Sequence, residues 1–155
     1  PVIESMIARM KARIGKSDDD LIPAKQDIIG RCFAADTVED IVENLAAEDS
    51  DWAQDQLTLI QSRSPLSVKI AFSHIRQAKD VEMDEILERD LKLSDFFMAG
   101  REFAEGVRAL LVDKDKKPLW GFADLHDVDS DAVARLVRGE LPPEDALGIL
   151  DNNRG

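Results

Sequence analysis

The sequence predicts an all-α protein, and three observations carry that expectation. Apolar residues recur at intervals of three and four through most of its 155 residues. Serine and threonine stand where several of those stripes begin, as N-caps do. No run of strict apolar–polar alternation bounded by turn residues occurs, so strands have no signal.

Taken in order, VIESMIARMKARI (residues 2–14) has helical spacing, GKSDDDLIP reads as an exposed acidic loop, and PAKQDIIGRCF is a second helix. In ADTVEDIVENLAAED, Thr37 is the expected N-cap with Asp40 three residues on, and Val38, Ile41, Val42 and Leu45 share one face. Ser50 caps DWAQDQLTLIQSR, whose stripe is Trp52, Ala53, Gln56, Leu57 and Ile60. Ser64 caps the next helix, with Pro65 at the first helical position, where its missing N–H costs nothing. Leu66, Ile70, Ala71, Ile75 and Ala78 form its expected buried side.

VEMDEILERDLKLSDFFMAG is a longer helix with Met83, Ile86, Leu87, Leu91, Phe97 and Met98 apolar and Gly100 placed to end it. REFAEGVRALLV repeats the spacing through Phe103, Val107, Leu110 and Leu111, despite a glycine at 106. Two short helices close the chain: DAVARLVRG, capped by Ser130 and stopped by Gly139, and PEDALGIL behind Pro142 and Pro143. No internal repeat stands out, and residues 1–155 read as one helical unit whose weakest points are the loops near 15–22 and 112–130. The first residue is Pro1, and helical spacing begins at once with no lead-in, so a piece of a longer chain is expected.

Composition narrows the partners. With 20 Lys+Arg against 32 Asp+Glu, the formal charge of −12 repels a nucleic-acid backbone or an anionic membrane. A single cysteine, Cys32, cannot form an internal disulfide, and no apolar run approaches the roughly 18 residues a membrane span takes. A soluble protein of a reducing compartment is the expectation.

Local chemistry is sparse. Asp113 and Asp115 sit at positions one and three of a conceivable calcium loop, but Lys117 at five, Pro118 at six and Asp124 at twelve break it. A second attempt at Asp127, Asp129 and Asp131 meets Ala132 at six and Arg138 at twelve. Cys32, His74 and His126 lie too far apart in sequence for a zinc signature, so no metal is expected. Cys32 reads as a small buried apolar group, His74 as partly buried beside its stripe, and His126 as solvated. Asp90 and Arg108 lie near apolar faces, where a buried charge requires a partner, and pairing with each other would satisfy both. The patterns GxGxxG, the phosphate loop and GxSxG are missing.

The order of three phrases supplies what single residues do not. CFAADTVEDIVENL, then SPLSVKIAFSHIRQ, then FMAGREFAEGVRALLVDKDKKPLW span residues 32 to 120, and EGVRALLVDKD followed by Pro118 and Trp120 is the most specific part. Together they resemble the C-terminal helical region of 3-hydroxyisobutyryl-CoA hydrolases, a branch of the crotonase (enoyl-CoA hydratase/isomerase) superfamily. The resemblance implies a thioester hydrolase of valine breakdown whose oxyanion hole and acidic catalytic residues lie in an N-terminal core of ββα units. None of that core is in this sequence, so the resemblance implies no catalytic residue here and an inactive chain on its own.

It further implies no cofactor beyond coenzyme A as part of the substrate. The partners it implies are acyl-CoA reached through the core, that core itself and further copies of the chain; the compartment is the cytoplasm of a bacterium or the mitochondrial matrix of a eukaryote. Phe103 through Val112 would be a packed helix, DKDKKP its polar exit, and Lys114, Lys116 and Lys117 the candidates for contact with the nucleotide end of CoA. A solvated charged loop is the competing reading of those lysines. The acidic-aromatic-arginine phrase of the family stands here as Asp90, Leu91 and Lys92, losing the ring and the planar guanidinium. An enoyl-CoA hydratase or isomerase is the alternative within the superfamily, and a stand-alone helical interaction module is the alternative outside it.

Overall fold

A computed structural model describes residues 21–79 and 81–150. The helix expected at 2–14 and most of the acidic loop after it lie outside those residues. Among the described residues the chain is helical with no strand. Helix α1 spans Leu21–Phe33 and starts two residues before Pro23, which sits in the first turn, where a proline is tolerated.

Helix α2 (Val38–Ala47) begins as its sequence predicts: Thr37 Oγ1 accepts the Asp40 N–H at 3.1 Å and donates to the Asp40 carboxylate at 2.7 Å. Helix α3 (Asp51–Gln61) is capped by Ser50, whose hydroxyl takes the Ala53 N–H. Helix α4 (Pro65–Ala78) is capped by Ser64 through the Ser67 N–H, with Pro65 leading. These three helices and α1 build a small apolar cluster in which Cys32, Ile41, Leu45 and Ala53 are buried, with Phe72 of α4 and Trp52 of α3 against them. Cys32 is thus the small core side chain its position suggests.

Helix α5 (Met83–Ala99) is followed across Gly100 by α6 (Arg101–Val107), which opens into a π-helical turn at Arg108–Val112. A short 3₁₀ turn at Leu125–Asp127 then precedes α7 (Ser130–Val137) and α8 (Pro143–Leu150). The larger core lies between α4, α5, α7 and α8, where Leu66, Ile70, Leu93, Phe96, Val133, Leu136 and Leu150 meet Phe122 and Val128 from the connecting segment. Phe96 also packs edge-on against Phe97, centroids 5.5 Å apart. Gly139 stops α7 at φ +72°, a left-handed value that glycine adopts without strain, and its N–H takes the Leu136 carbonyl.

Three expectations are corrected. The cap of α7 is Asp129, whose carboxylate accepts the N–H groups of Asp131 and Ala132. Ser130 is drawn off because its hydroxyl accepts from Lys69 at 2.8 Å. On α4, Ala71 and Ile75 face outward, while Lys69 occupies the buried stripe beside Leu66 and Ile70. The third correction is the largest. Helix α5 buries Arg89, Leu93 and Phe96, spaced i, i+4, i+7, and leaves Met83, Leu87, Leu91 and Met98 on the outer face. Phe103, Leu110 and Leu111 are likewise exposed, so the stretch from Phe103 to Val112 is not the packed helix its sequence suggests. Both stripes of α5 carry apolar side chains, and periodicity alone does not say which one this chain covers.

Candidate functional site

Among the uncovered apolar residues, Met98, Leu110 and Leu111 join Phe103, which is 50% exposed, in lining three adjoining grooves. One, of about 560 Å³, runs along α6 and the π turn, between Val107, Leu110 and Leu111 on one wall and Pro118 and Trp120 on the other. The second, of about 610 Å³, lies toward α4 and α5, with Ile70, Leu93, Phe97 and Trp120 in its walls. The third joins Phe103 to Met98 and Phe97. Trp120 packs over α6 at position 106, where a Cβ would stand 3.4 Å from the indole ring, at van der Waals contact. The interior glycine that weakens the helical pattern in the sequence is thus a contact site for the tryptophan.

Glu102 stands between the first two grooves and is 7% exposed. One carboxylate oxygen accepts the Gly121 N–H at 2.7 Å, and the other is buried with no partner. Glu105, one turn on, accepts the Leu119 N–H at 2.6 Å. Two acids of α6 therefore hold the backbone of residues 119–121 alongside the helix, and with it Trp120.

The segment between, DKDKKP, is ordered by Arg108. Its guanidinium reaches Glu105 through two hydrogen bonds, Asp113 at 2.5 Å, Asp115 at 2.8 Å and the carbonyl of Lys117 at 3.1 Å. Asp115 in turn accepts the Lys117 N–H, and the Lys116 N–H returns to the Ala109 carbonyl. The π turn lets the chain leave the helix in this way, because Asp113 N–H bonds to the Arg108 carbonyl five residues back. Arg108 holds the Glu105 carboxyl down to about 2, with the Leu119 N–H adding to the effect. The same guanidinium lowers Asp115, and the three acids together raise Arg108.

The polar stretch is therefore a turn clasped on one arginine. Lys114, Lys116 and Lys117 are exposed on it, and Lys116 borders the groove of Leu110 and Trp120. The pairing of Asp90 with Arg108 does not occur. Asp90 lies 2.7 Å from His74 Nε2, giving that partly buried histidine the acid partner that sequence does not mark.

Other charged residues that sequence reasoning passes over are structural. Lys69, 6% exposed, pairs with Glu39 at 2.6 Å and donates to the Val128 carbonyl and to Ser130. Burial works to raise the Glu39 carboxyl, but the Lys69 hydrogen bond and charge outweigh it and leave it lowered. Arg89 is buried with one carboxylate, Glu85, at 2.7 Å. Each stands at a core position of an apolar stripe, Lys69 between Leu66 and Ile70 and Arg89 four residues before Leu93, and that placement was the available signal. His126, exposed beside Asp124, has its imidazole raised by the hydrogen bond to that acid. Among the described residues no group of three or more His, Cys, Asp or Glu side chains is placed to hold a metal ion, and no helix is long and apolar enough to cross a membrane.

Comparison with known proteins gives this surface its setting. Rat mitochondrial 3-hydroxyisobutyryl-CoA hydrolase is 39% identical over 127 residues, 82% of this chain and 32% of the relative. The human protein of that name is 38% identical over 118 residues, 76% of this chain and 31% of the relative, and the bovine one is 40% identical over 116. The chain thus spans about a third of the length of the curated relatives it matches. The family model described as enoyl-CoA hydratase/isomerase matches residues 2–137. With that match across most of the sequence and relatives at 38–40% identity, this chain belongs to the enoyl-CoA hydratase/isomerase family, the crotonase superfamily.

Proposed function

We propose that the chain is the helical lid and assembly region of an acyl-CoA thioester hydrolase, with 3-hydroxyisobutyryl-CoA as its substrate. The observation that carries this reading is the exposed apolar face of α5, α6 and the π turn. Met98 and Phe103 are 67% and 50% exposed, and scattered single apolar residues would not line three adjoining grooves. In the reading proposed here that face seats a catalytic core corresponding to the two thirds of the relatives that this chain does not match. The core supplies the preorganised oxyanion donors and acidic groups, and the chain alone is inactive without them. Its relatives are named as mitochondrial proteins, and a matrix or bacterial cytoplasmic setting fits the substrate proposed.

Within this reading Lys114, Lys116 and Lys117 contact the phosphates at the nucleotide end of CoA, where an ammonium acts as a point charge. No further cofactor is required, and copies of the chain associate through the assembled protein. The test is product analysis on the protein expressed from its full reading frame. Release of free CoA thiol from 3-hydroxyisobutyryl-CoA is expected; hydration of crotonyl-CoA without thiol release would replace the hydrolase with a hydratase. Inactivity on both, or a reading frame with no crotonase core, would leave a helical interaction module instead.

A further inference from the structure

We infer that Arg108 is a positioning residue for anion binding: by gathering the acids of DKDKKP onto one guanidinium it leaves the lysines of that turn free to face a phosphate. The inference rests on the reading of those lysines as CoA phosphate contacts and concerns what makes them competent. Alternating acids and bases in a flexible loop would pair with one another and present little net field. Here the pairing is resolved otherwise. Asp113, Asp115 and Glu105 all bond to Arg108, and among the described residues no ion pair forms to Lys114, Lys116 or Lys117. The turn thus exposes three ammonium groups that form no ion pair among the described residues, beside carboxylates whose hydrogen bonds go to Arg108 instead.

The backbone agrees. Lys114 and Lys116 have φ values of 57° and 56°, left-handed conformations that non-glycine residues seldom adopt and that persist only where the surroundings fix them. The fixing bonds are those of the clasp: the Arg108 guanidinium to the Lys117 carbonyl, Asp115 to the Lys117 N–H, and the Ala109 carbonyl to the Lys116 N–H. Five donors in a rigid fork suit this task. A lysine at 108 keeps the charge but reaches only part of the set.

A coupling experiment separates this from a general structural role. CoA affinity is measured by calorimetric titration, on the protein from its full reading frame, for four forms: wild type, Arg108→Lys, Lys114→Gln/Lys116→Gln/Lys117→Gln, and all four changes together. The triple change is expected to weaken CoA on the order of tenfold, and Arg108→Lys by a comparable factor in the wild-type background but by none in the triple background. Affinity for pantetheine, which has no phosphate, should be the same in all four. If the triple change leaves CoA affinity unaltered, the lysine reading and this inference both fall. If it weakens CoA while Arg108→Lys does nothing, or does the same in both backgrounds, the lysine reading stands and the positioning role is overturned. Should Arg108→Lys fold poorly, judged by its thermal transition, Asp115→Asn carries the comparison: loss of its charge alone would tighten CoA, so weaker binding confined to the wild-type background supports the positioning role, and tighter or unchanged binding overturns it.

Discussion

Helices α5 and α7 pack into one core, yet they use their apolar residues in opposite ways. Helix α7 has eight residues and buries Ala132, Val133, Leu136 and Val137, which is its whole apolar stripe. Helix α5 has 17 residues and buries Arg89, Leu93 and Phe96, while Met83, Leu87, Leu91 and Met98 stay outside. Among the described residues α7 is covered along its whole apolar stripe and α5 along one of two. In the reading proposed above, the uncovered stripe is where the catalytic core seats.

The strongest way to break that comparison is to truncate one side chain from each face of α5. Phe96→Ala removes a ring that is 2% exposed and is expected to cost about 3–5 kcal/mol in chemical denaturation. Leu91→Ala on the outer face is expected to change the stability of the chain alone by less than about 0.5 kcal/mol. Equal losses at the two positions would show that Leu91 is covered within the chain. In the protein from the full reading frame, Leu91→Ala should become costly too.

Lys69→Met probes the polar side of the core. It removes hydrogen bonds to Val128 and Ser130 and leaves Glu39 without its ammonium partner, a loss of about 1–3 kcal/mol. The linkage has a definite sign. Glu39 is lowered in the fold, so its contribution is present above the unfolded carboxylate value and is lost as pH falls through the folded one. The wild type should therefore lose more stability on acidification than Lys69→Met does, measured by denaturation at successive pH values.

A smaller effect on stability with a larger one on behaviour is expected from Leu87→Lys combined with Leu91→Lys. In the chain alone the melting temperature should barely move, while self-association in light scattering and binding of a hydrophobic dye decline. A chain that is already monodisperse and dye-free before the change would remove the basis of the lid reading.

The smallest effect is the titration of the clasp. Glu105 is held at about 2 by Arg108, so its bond persists from neutral pH down through the ordinary carboxylate range and is lost only as pH falls through that value. The carboxyl carbon resonance of Glu105 should titrate near that value, and Arg108→Gln should move it upward toward the ordinary carboxylate range. His126 runs the other way: raised by Asp124, its contribution is full below the unfolded imidazole value and fades as pH rises through the folded one.

Much of the fold was legible because helix starts are local. Thr37, Ser50 and Ser64 cap the helices their positions announce, since a hydroxyl three residues before an unpaired N–H needs no distant help. Asp129 displaced Ser130 because a third party, Lys69, claims the serine from 61 residues away, and sequence order does not show that contact. The choice of buried face on α5 was illegible for a related reason: two apolar stripes compete, and the winner is set by which partner helices exist. The clasp had the residues of its turn in plain view, yet Arg108 sits five residues before Asp113 and seven before Asp115, and only the π turn makes one guanidinium reach both. The phrase EGVRALLVDKD pointed to the family without showing why its residues alternate in charge.

In the reading proposed above, the outer face of α5 and the grooves at Phe103 are covered in the assembled protein. Methionine oxidation tests it most directly, because Met83 and Met98 stand on that face, 66% and 67% exposed, and thioethers oxidise where oxidant reaches them. Dilute peroxide is applied to the chain alone and to the protein from its full reading frame, and sulfoxide at each methionine is followed by peptide mass. Rapid oxidation of both methionines is expected in the chain alone, and marked protection of both in the longer protein. Equal rates in the two would contradict it.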